Sequence, residues 1–486
     1  MTEKLKSKVF KSVKWTVLVT LLNTIIQPIY RILLALLLLP TEFGYIAVIT
    51  LIVSFADLLN NIGVGEAIIQ KDEVTTEDLS TLFFFNTIMT LIISILIYFS
   101  SSYIENFYNM DGIKEIIKVT TLIVFLNGIT SIFQFYLHRY FYFKETSILK
   151  IVKMLAEVTF AITLILFDLG IWGFVIALVT ANIIHSALLV VTAYRKTNLK
   201  INFYFSILRL KKFLNFGIFV SSKKIVNFSS QRIDEVIIGA VLSAEILGIY
   251  YLAKNLLLQM QSLITTTFGQ ILLPMFSKMK DNIAKQKEIY LTIIRTLLFV
   301  GTPIFMLIII SADLFVPLVF GQEWIQSALV FKWLSIPVFC LLLSSGVSTS
   351  LMYSQNKTGI LLLIDIIMVP IYILILYLFN HGDLLNILFI YSCYIIFKFI
   401  IVQALISKIF KIKLKEFINL FKVPMISATI TGFVLINILI YYSNETGYIS
   451  LFSFYFLGFI LYLITSWSIG KDEMRIFIQI LKGFKN

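Results

Sequence analysis

In the stretch NFGIFVSSKKIVNFSSQRIDEVIIG, from Asn215 to Gly239, the polar side chains Ser221, Lys224, Asn227, Gln231 and Asp234 recur at steps of three or four. A helix turns once per 3.6 residues, so these groups form one stripe while Phe, Ile and Val cover the other faces. The stretch is long enough to cross a bilayer. Lys223, Lys224 and Arg232 would together cost on the order of 9 kcal/mol if exposed to lipid. The stripe must therefore line a polar cavity inside a membrane protein, where its chemistry is the holding of a polar or charged solute.

Three further stretches repeat the step. The first apolar run carries Thr16, Thr20 or Asn23, Gln27 and Arg31, and the second carries Thr50, Ser54, Asp57 and Asn61. A later run shows Asn255, Gln259, Ser262, Thr266 and Gln270, with Lys254 beside the first of them. The candidate lining is therefore Asn23, Gln27, Asp57, Asn61, Lys223, Asn227, Gln231, Asn255 and Gln259, with the cations Arg31, Lys224, Arg232 and Lys254 among them. Against these cations stand Asp57, Glu66, Asp234 and Glu235, mostly near helix ends, which leaves a small cationic surplus and a modest preference for an anionic solute. The bland alternative for each cation is an internal ion pair, and Asp234 or Glu235 is placed to neutralise Arg232. Lys153 and Glu157, spaced i, i+4, read as a local pair, and His185 as a packed core residue.

The elements that must position these residues are membrane spans. The 486 residues are 59% hydrophobic and only 14% charged, too apolar for a soluble domain. Apolar windows place about fourteen spans near 13–39, 43–66, 80–102, 114–136, 147–167, 171–193, 213–239, 246–273, 289–311, 325–353, 358–379, 386–407, 423–442 and 449–469. With the N-terminus inside, about 29 Lys and Arg fall in inside loops against about 2 outside, which puts both termini in the cytoplasm. The net charge of +13 is then a property of those loops, and nucleic acid is not an expected partner. Two cysteines within apolar spans, Cys340 and Cys393, imply neither disulfides nor a metal site. The lysine-rich start precedes a run with no cleavage site, so it reads as a first span and not as a signal peptide. No P-loop or dinucleotide glycine pattern occurs. Pro28, Pro303, Pro337 and Pro370 fall inside spans, where each bends its helix. NFYFSILRLKKFL and MRIFIQILKGFK read as amphipathic helices on the cytoplasmic leaflet.

An internal repeat is visible. Arg31, Pro40, Glu42, Phe43, Gly44 and Tyr45 have counterparts in Arg232, Gly239, Glu245, Leu247, Gly248 and Tyr250. Weak similarity of this kind marks a transporter of two structural repeats with its site at their interface. The expected fold is all-α, with two pseudo-symmetric six-helix lobes around a central cavity and two further helices. The chain then divides into 1–212, 213–412 and 413–486.

Several segments carry a family likeness. RILLALLLLPTEFGY (31–45), FADLLNNIGVGEAIIQK (55–71) and TTEDLSTLFFFN (75–86) resemble the polysaccharide exporter branch of the multidrug/oligosaccharidyl-lipid/polysaccharide (MOP) superfamily. QRIDEVIIG (231–239), LGIYYLA (247–253) and LPMFSK (273–278) do the same. These are the Wzx-type flippases, close to those of colanic or teichuronic acid export. The resemblance implies a flippase that moves an undecaprenyl-pyrophosphate-linked oligosaccharide across the bacterial inner membrane by alternating access. It also implies that Arg31, Lys224, Arg232 and Lys254 meet the pyrophosphate or acidic sugars. The partners implied are the lipid-linked oligosaccharide, the lipid bilayer and other polysaccharide assembly proteins; no cofactor is expected beyond an H⁺ or Na⁺ gradient, with Asp57 as a candidate ion site. A drug/cation antiporter of the same superfamily would favour cavity acids over cations. A membrane polymerase or ligase would need catalytic groups in a sizeable outside loop, and here those loops are short.

Overall fold

The protein, seen in a computed structural model, is described at residues 3–60, 65, 68–69, 71, 73–197, 199–379, 382–441 and 447–471. Side chains of residues 3–14, 16–18, 212, 214–223 and 266–271 fall outside that description. Asn61 and Glu66 lie outside the described residues, as does the MRIFIQILKGFK stretch, and Lys223 is described only as part of a helix.

The described residues form fifteen α-helices and no strand. In order they are α1 (Glu3–Leu37), α2 (Pro40–Asn60), α3 (Thr76–Tyr108), α4 (Ile113–Arg139), α5 (Phe143–Leu164), α6 (Gly170–Lys196), α7 (Ile207–Val241) and α8 (Ala244–Lys278). There follow α9 (Ile283–Phe320), α10 (Ser327–Ser344), α11 (Val347–Ser354), α12 (Thr358–Phe379), α13 (Leu384–Phe410), α14 (Leu414–Tyr441) and α15 (Tyr448–Ile469). Among the described residues, eleven segments are long and apolar enough to cross a membrane. One of them, Phe143–Lys196, holds both α5 and α6, joined through the distorted turn Ile165–Leu169. Helices α7 and α8 are not among the eleven. The count of fourteen spans therefore stays an expectation.

Packing gathers the chain into two units, 1–251 and 252–486. In the first, α5 packs on α6 and α1, α4 on α3, α6 and α2, and α7 on α2 and α3. In the second, α9 packs on α10 and α14, α10 on α13, and α14 on α15. The last two helices are fixed to α9 by Phe299, Ala428 and Tyr462, whose hydroxyl donates to the Phe299 carbonyl at 3.1 Å. The three-part division by repeat is a different partition from this one by packing, which keeps α7 with the helices it touches.

Two features depart from the expected segmentation. The span expected at 325–353 is two helices, broken at Ser345 and Gly346, where Gly346 has φ +83°. A side chain takes up a freed backbone donor, for Thr349 Oγ1 accepts from the Gly346 N–H at 3.1 Å, and Gln261 of α8 anchors the break by donating to Ser345 Oγ at 2.6 Å. Nor is NFYFSILRLKKFL a separate surface helix. Its second half is the first turns of α7, held to the start of α3 by Arg209, which bonds Asp78 at 2.9 Å and pairs with Glu77. Asp78 is buried, accepts from Lys71 at 2.8 Å and closes the capping box of α3 with Thr75. Pro28, Pro303, Pro337 and Pro370 each lie inside a helix.

The repeat has a physical counterpart in the first unit, where the N-termini of α2 and α8 cross. A Cβ on Gly44 would overlap the carbonyl oxygen of Ala244, and one on Gly248 would overlap that of Pro40. Each glycine meets the residue that starts the other helix, four positions before the other glycine, so the contact is reciprocal. Glycine is required here because backbone meets backbone. Gly248→Val is expected to force the crossing apart at a cost of about 1–3 kcal/mol. A lowered thermal-unfolding midpoint of the purified protein would show it, and an unchanged midpoint would refute the close crossing.

Candidate functional site

A cavity of about 490 Å³ opens within the first unit, lined by five helices. From α1 it receives Asn23 and Gln27, from α2 Asp57, and from α6 His185. Helix α4 contributes Asn127, Thr130, Ser131 and Gln134, and α5 contributes Lys150, Lys153 and Glu157. Both sets fall at i, i+3 or i+4, and i+7, which is one face of a helix.

Local packing sets these faces. Asn86 of α3 donates to the Gly128 carbonyl and to Ser131 Oγ at 3.0 Å, and Thr90 donates to Asn60 at 3.1 Å. Gly128 lets α3 come this close, since a Cβ there would overlap the Thr90 side chain. These bonds rotate α4 so that Asn127 reaches Asp57, donating to its two carboxylate oxygens at 3.2 and 3.3 Å. On the other wall, Lys153 donates to Asn182 Oδ1 of α6 at 2.8 Å, and Asn182 in turn donates to the Leu178 carbonyl. Lys153 thus turns to a partner on α6, and not to Glu157 as its spacing suggested. At the far end of α5, Glu42 of α2 accepts from the Ile171 N–H at 2.8 Å and from the Leu39 N–H at 2.9 Å. One carboxylate so caps the starts of both α6 and α2.

The expected site residues separate into groups. Asn23, Gln27 and Asp57 come together in the cavity. Arg31, one turn beyond Gln27, donates to the Tyr251 hydroxyl at 3.2 Å and stacks over that ring at 5.3 Å. Its partner is a neutral phenol, which Thr50 shares at 3.1 Å. Arg232 is paired with Glu235 at 2.8 Å, the neutralisation weighed in the sequence. Asp234 accepts from Tyr250. Lys224 and Asn227 are half-buried and Gln231 is exposed. In the second unit Lys254 is buried, its ammonium 5.4 Å from the Tyr391 ring centre, Asn255 is buried and Gln259 half-buried.

The cavity residues absent from the sequence reading are Lys150, Asn127, Thr130, Ser131 and Gln134, together with Lys153, Glu157 and His185 in a new role. The stripe rule that found α1 and α2 also fits α4 and α5. Chemically the chamber offers amides and hydroxyls, which exchange hydrogen bonds with sugar hydroxyls, lysines for anionic groups, and carboxylates to accept from hydroxyl donors. Among the described residues no group of three or more His, Cys, Asp or Glu is placed to hold a metal.

The backbone is like that of the lipid II flippase MurJ in an inward closed conformation, with a TM-score of 0.76 over 95% of this chain and 100% of that one at 14% identity. Fold and chamber together define a multi-span helical bundle with a polar chamber among helices long and apolar enough to cross a membrane. The chain belongs to the polysaccharide biosynthesis protein family, which matches residues 33–329, more than half its length. Over 88% of both chains it is 26% identical to the teichuronic acid biosynthesis protein TuaB of Bacillus subtilis. It is 21% identical to the lipopolysaccharide biosynthesis protein WzxC of Escherichia coli, over 66% of this chain and 65% of that protein.

The Tyr251 hydroxyl, shared by Arg31 and Thr50, gives a direct test of this corner. Tyr251→Phe keeps the ring under the guanidinium and removes one acceptor, so it should lower stability by about 1 kcal/mol. Chemical denaturation in detergent would measure the change, and a loss comparable to that of Tyr251→Ala would contradict the assignment.

Proposed function

We propose that this chain is a flippase for a lipid-linked oligosaccharide. It moves an undecaprenyl-pyrophosphate-linked repeat unit from the cytoplasmic to the outer leaflet by alternating access. The observation that carries the reading is the chamber itself, a pocket of amides, hydroxyls, lysines and carboxylates among helices whose outer faces are apolar. A charged, sugar-bearing head cannot cross hydrocarbon unaided, because each unpaired polar group costs several kcal/mol there. A wet, polar path at membrane depth removes that cost while the prenyl tail stays in apolar surroundings. The chain is a transporter and not an enzyme, in keeping with the MurJ fold and its kinship with WzxC.

The head group enters the chamber with its hydroxyls on Asn23, Gln27, Asn127 and Gln134, and its anionic groups on Lys150 and Lys153. Arg31, Lys224, Arg232 and Lys254 serve the pyrophosphate. The membrane is the bacterial inner membrane, with both termini in the cytoplasm as the lysine distribution favours, and other polysaccharide assembly proteins receive the product. An H⁺ or Na⁺ gradient drives the cycle, with Asp57 as its ion site.

Replacing both chamber lysines, Lys150→Ala with Lys153→Ala, should lower outer-leaflet delivery by about a hundred- to ten-thousand-fold, since each charged hydrogen bond contributes about 1.5–3 kcal/mol. Lys224→Ala should abolish delivery at unchanged expression. The measurement is accumulation of lipid-linked repeat units on the cytoplasmic face of cells whose only flippase is the variant. Full export by the double variant would remove the chamber from the path. For the gradient, Asp57→Asn should make transport into vesicles insensitive to collapse of the ion gradient, and a retained response would clear Asp57 of that role.

A further inference from the structure

A second cavity of the first unit has the opposite character. About 540 Å³ in volume, it runs between α2, α3 and α7 and is walled almost wholly by hydrocarbon. Ala56 and Ile93 form its floor and Leu96, 60% exposed, its rim toward the surrounding lipid. Phe55 and Phe228 join α2 to α7 with ring centres 5.6 Å apart. At the other end Tyr108 lies against Gly239, where a Cβ would come within 2.7 Å of its ring. One charged side chain lines this groove, Arg232, about 14 Å from the Val241 end of α7 at 1.5 Å per residue.

That arginine limits what the groove can hold. Its pairing with Glu235, which is 1% exposed, occupies one terminal nitrogen, while the side chain, 26% exposed, lines the groove and its guanidinium carries further donors. A plain hydrocarbon would leave those donors facing apolar walls, and a soluble anion would leave the walls bare. An anionic group carried on a long apolar chain satisfies both. The groove also shares a helix with the chamber, for Asp57 of α2 faces the chamber while Phe55, Ala56 and Leu59 face the groove.

We propose that the groove between α2, α3 and α7 is a binding site for the polyprenyl chain of a diphosphate carrier lipid, with Arg232 holding the diphosphate. This rests on the flippase reading for its choice of lipid. The tail lies along Ala56, Ile93 and Leu96, and the diphosphate bonds the guanidinium beside its existing contact with Glu235.

The test uses the full chain in nanodiscs of phosphatidylethanolamine and phosphatidylglycerol, with a photoreactive polyprenyl diphosphate that bears no sugar. Labelled peptides should come from α2, α3 and α7 around Phe55, Leu96 and Phe228. Ile97→Trp, which fills the groove, should cut that labelling about ten-fold, Arg232→Gln should weaken it, and Tyr103→Ala on the exposed face of α3 should leave it unchanged. Labelling spread evenly over the lipid-facing helices, or displaced equally well by phosphatidylglycerol, would mean bulk lipid and overturn the proposal. So would labelling of the folded Ile97→Trp protein at the wild-type level. Binding is read without transport, so the two readings fail separately. Groove labelling with no delivery of the sugar-bearing lipid sinks the flippase reading alone, and delivery with no groove labelling sinks the groove alone.

Discussion

A polar group at membrane depth must find its partner within the protein, because hydrocarbon supplies none. This constraint organises the first unit. Asp57 is met by Asn127, Lys153 by Asn182, Arg31 by Tyr251 and Arg232 by Glu235, each from a position that the backbone ladder alone would not supply. The partners of Asp57, Lys153 and Arg31 named here are neutral amides and a phenol, and they fix the geometry of the three side chains.

The same economy governs the helix contacts. α3 reaches α4 where Gly128 has no side chain to block Thr90, and α2 reaches α8 where Gly44 and Gly248 have none. At the second contact the reciprocity matters more than the closeness. Each glycine lies against the first residue of the opposite helix, so one local geometry is used twice in mirrored roles.

Much of this was legible in sequence, and the failures share a cause. Arg31, Asp57 and Gln27 stand out because a charge or amide in an apolar run has few structural excuses. Asn127, Thr130 and Gln134 follow the same step but carry no charge, and in a chain rich in Ser, Thr and Asn such stripes do not rise above the background. Lys153 and Glu157 were misread because spacing along one helix suggests a local pair, whereas the competing amide, Asn182, comes from another helix 29 positions on. The break at Ser345 and Gly346 was hidden by an unbroken apolar window, since hydropathy does not register a break in the backbone ladder. The continuity of NFYFSILRLKKFL with α7 was not legible because amphipathic patterning does not mark where a surface segment ends and a span begins; Arg209 ties it to Asp78 and Glu77 at the foot of α3.

Glu42 deserves a mechanical reading. Its two oxygens are divided between the Leu39 and Ile171 amides, so neither helix start can shift alone without orphaning a donor. α2 and α6 are in effect riveted at one rim. Whatever motion carries a solute through this protein must therefore leave that rim undeformed and take its bending elsewhere along the bundle.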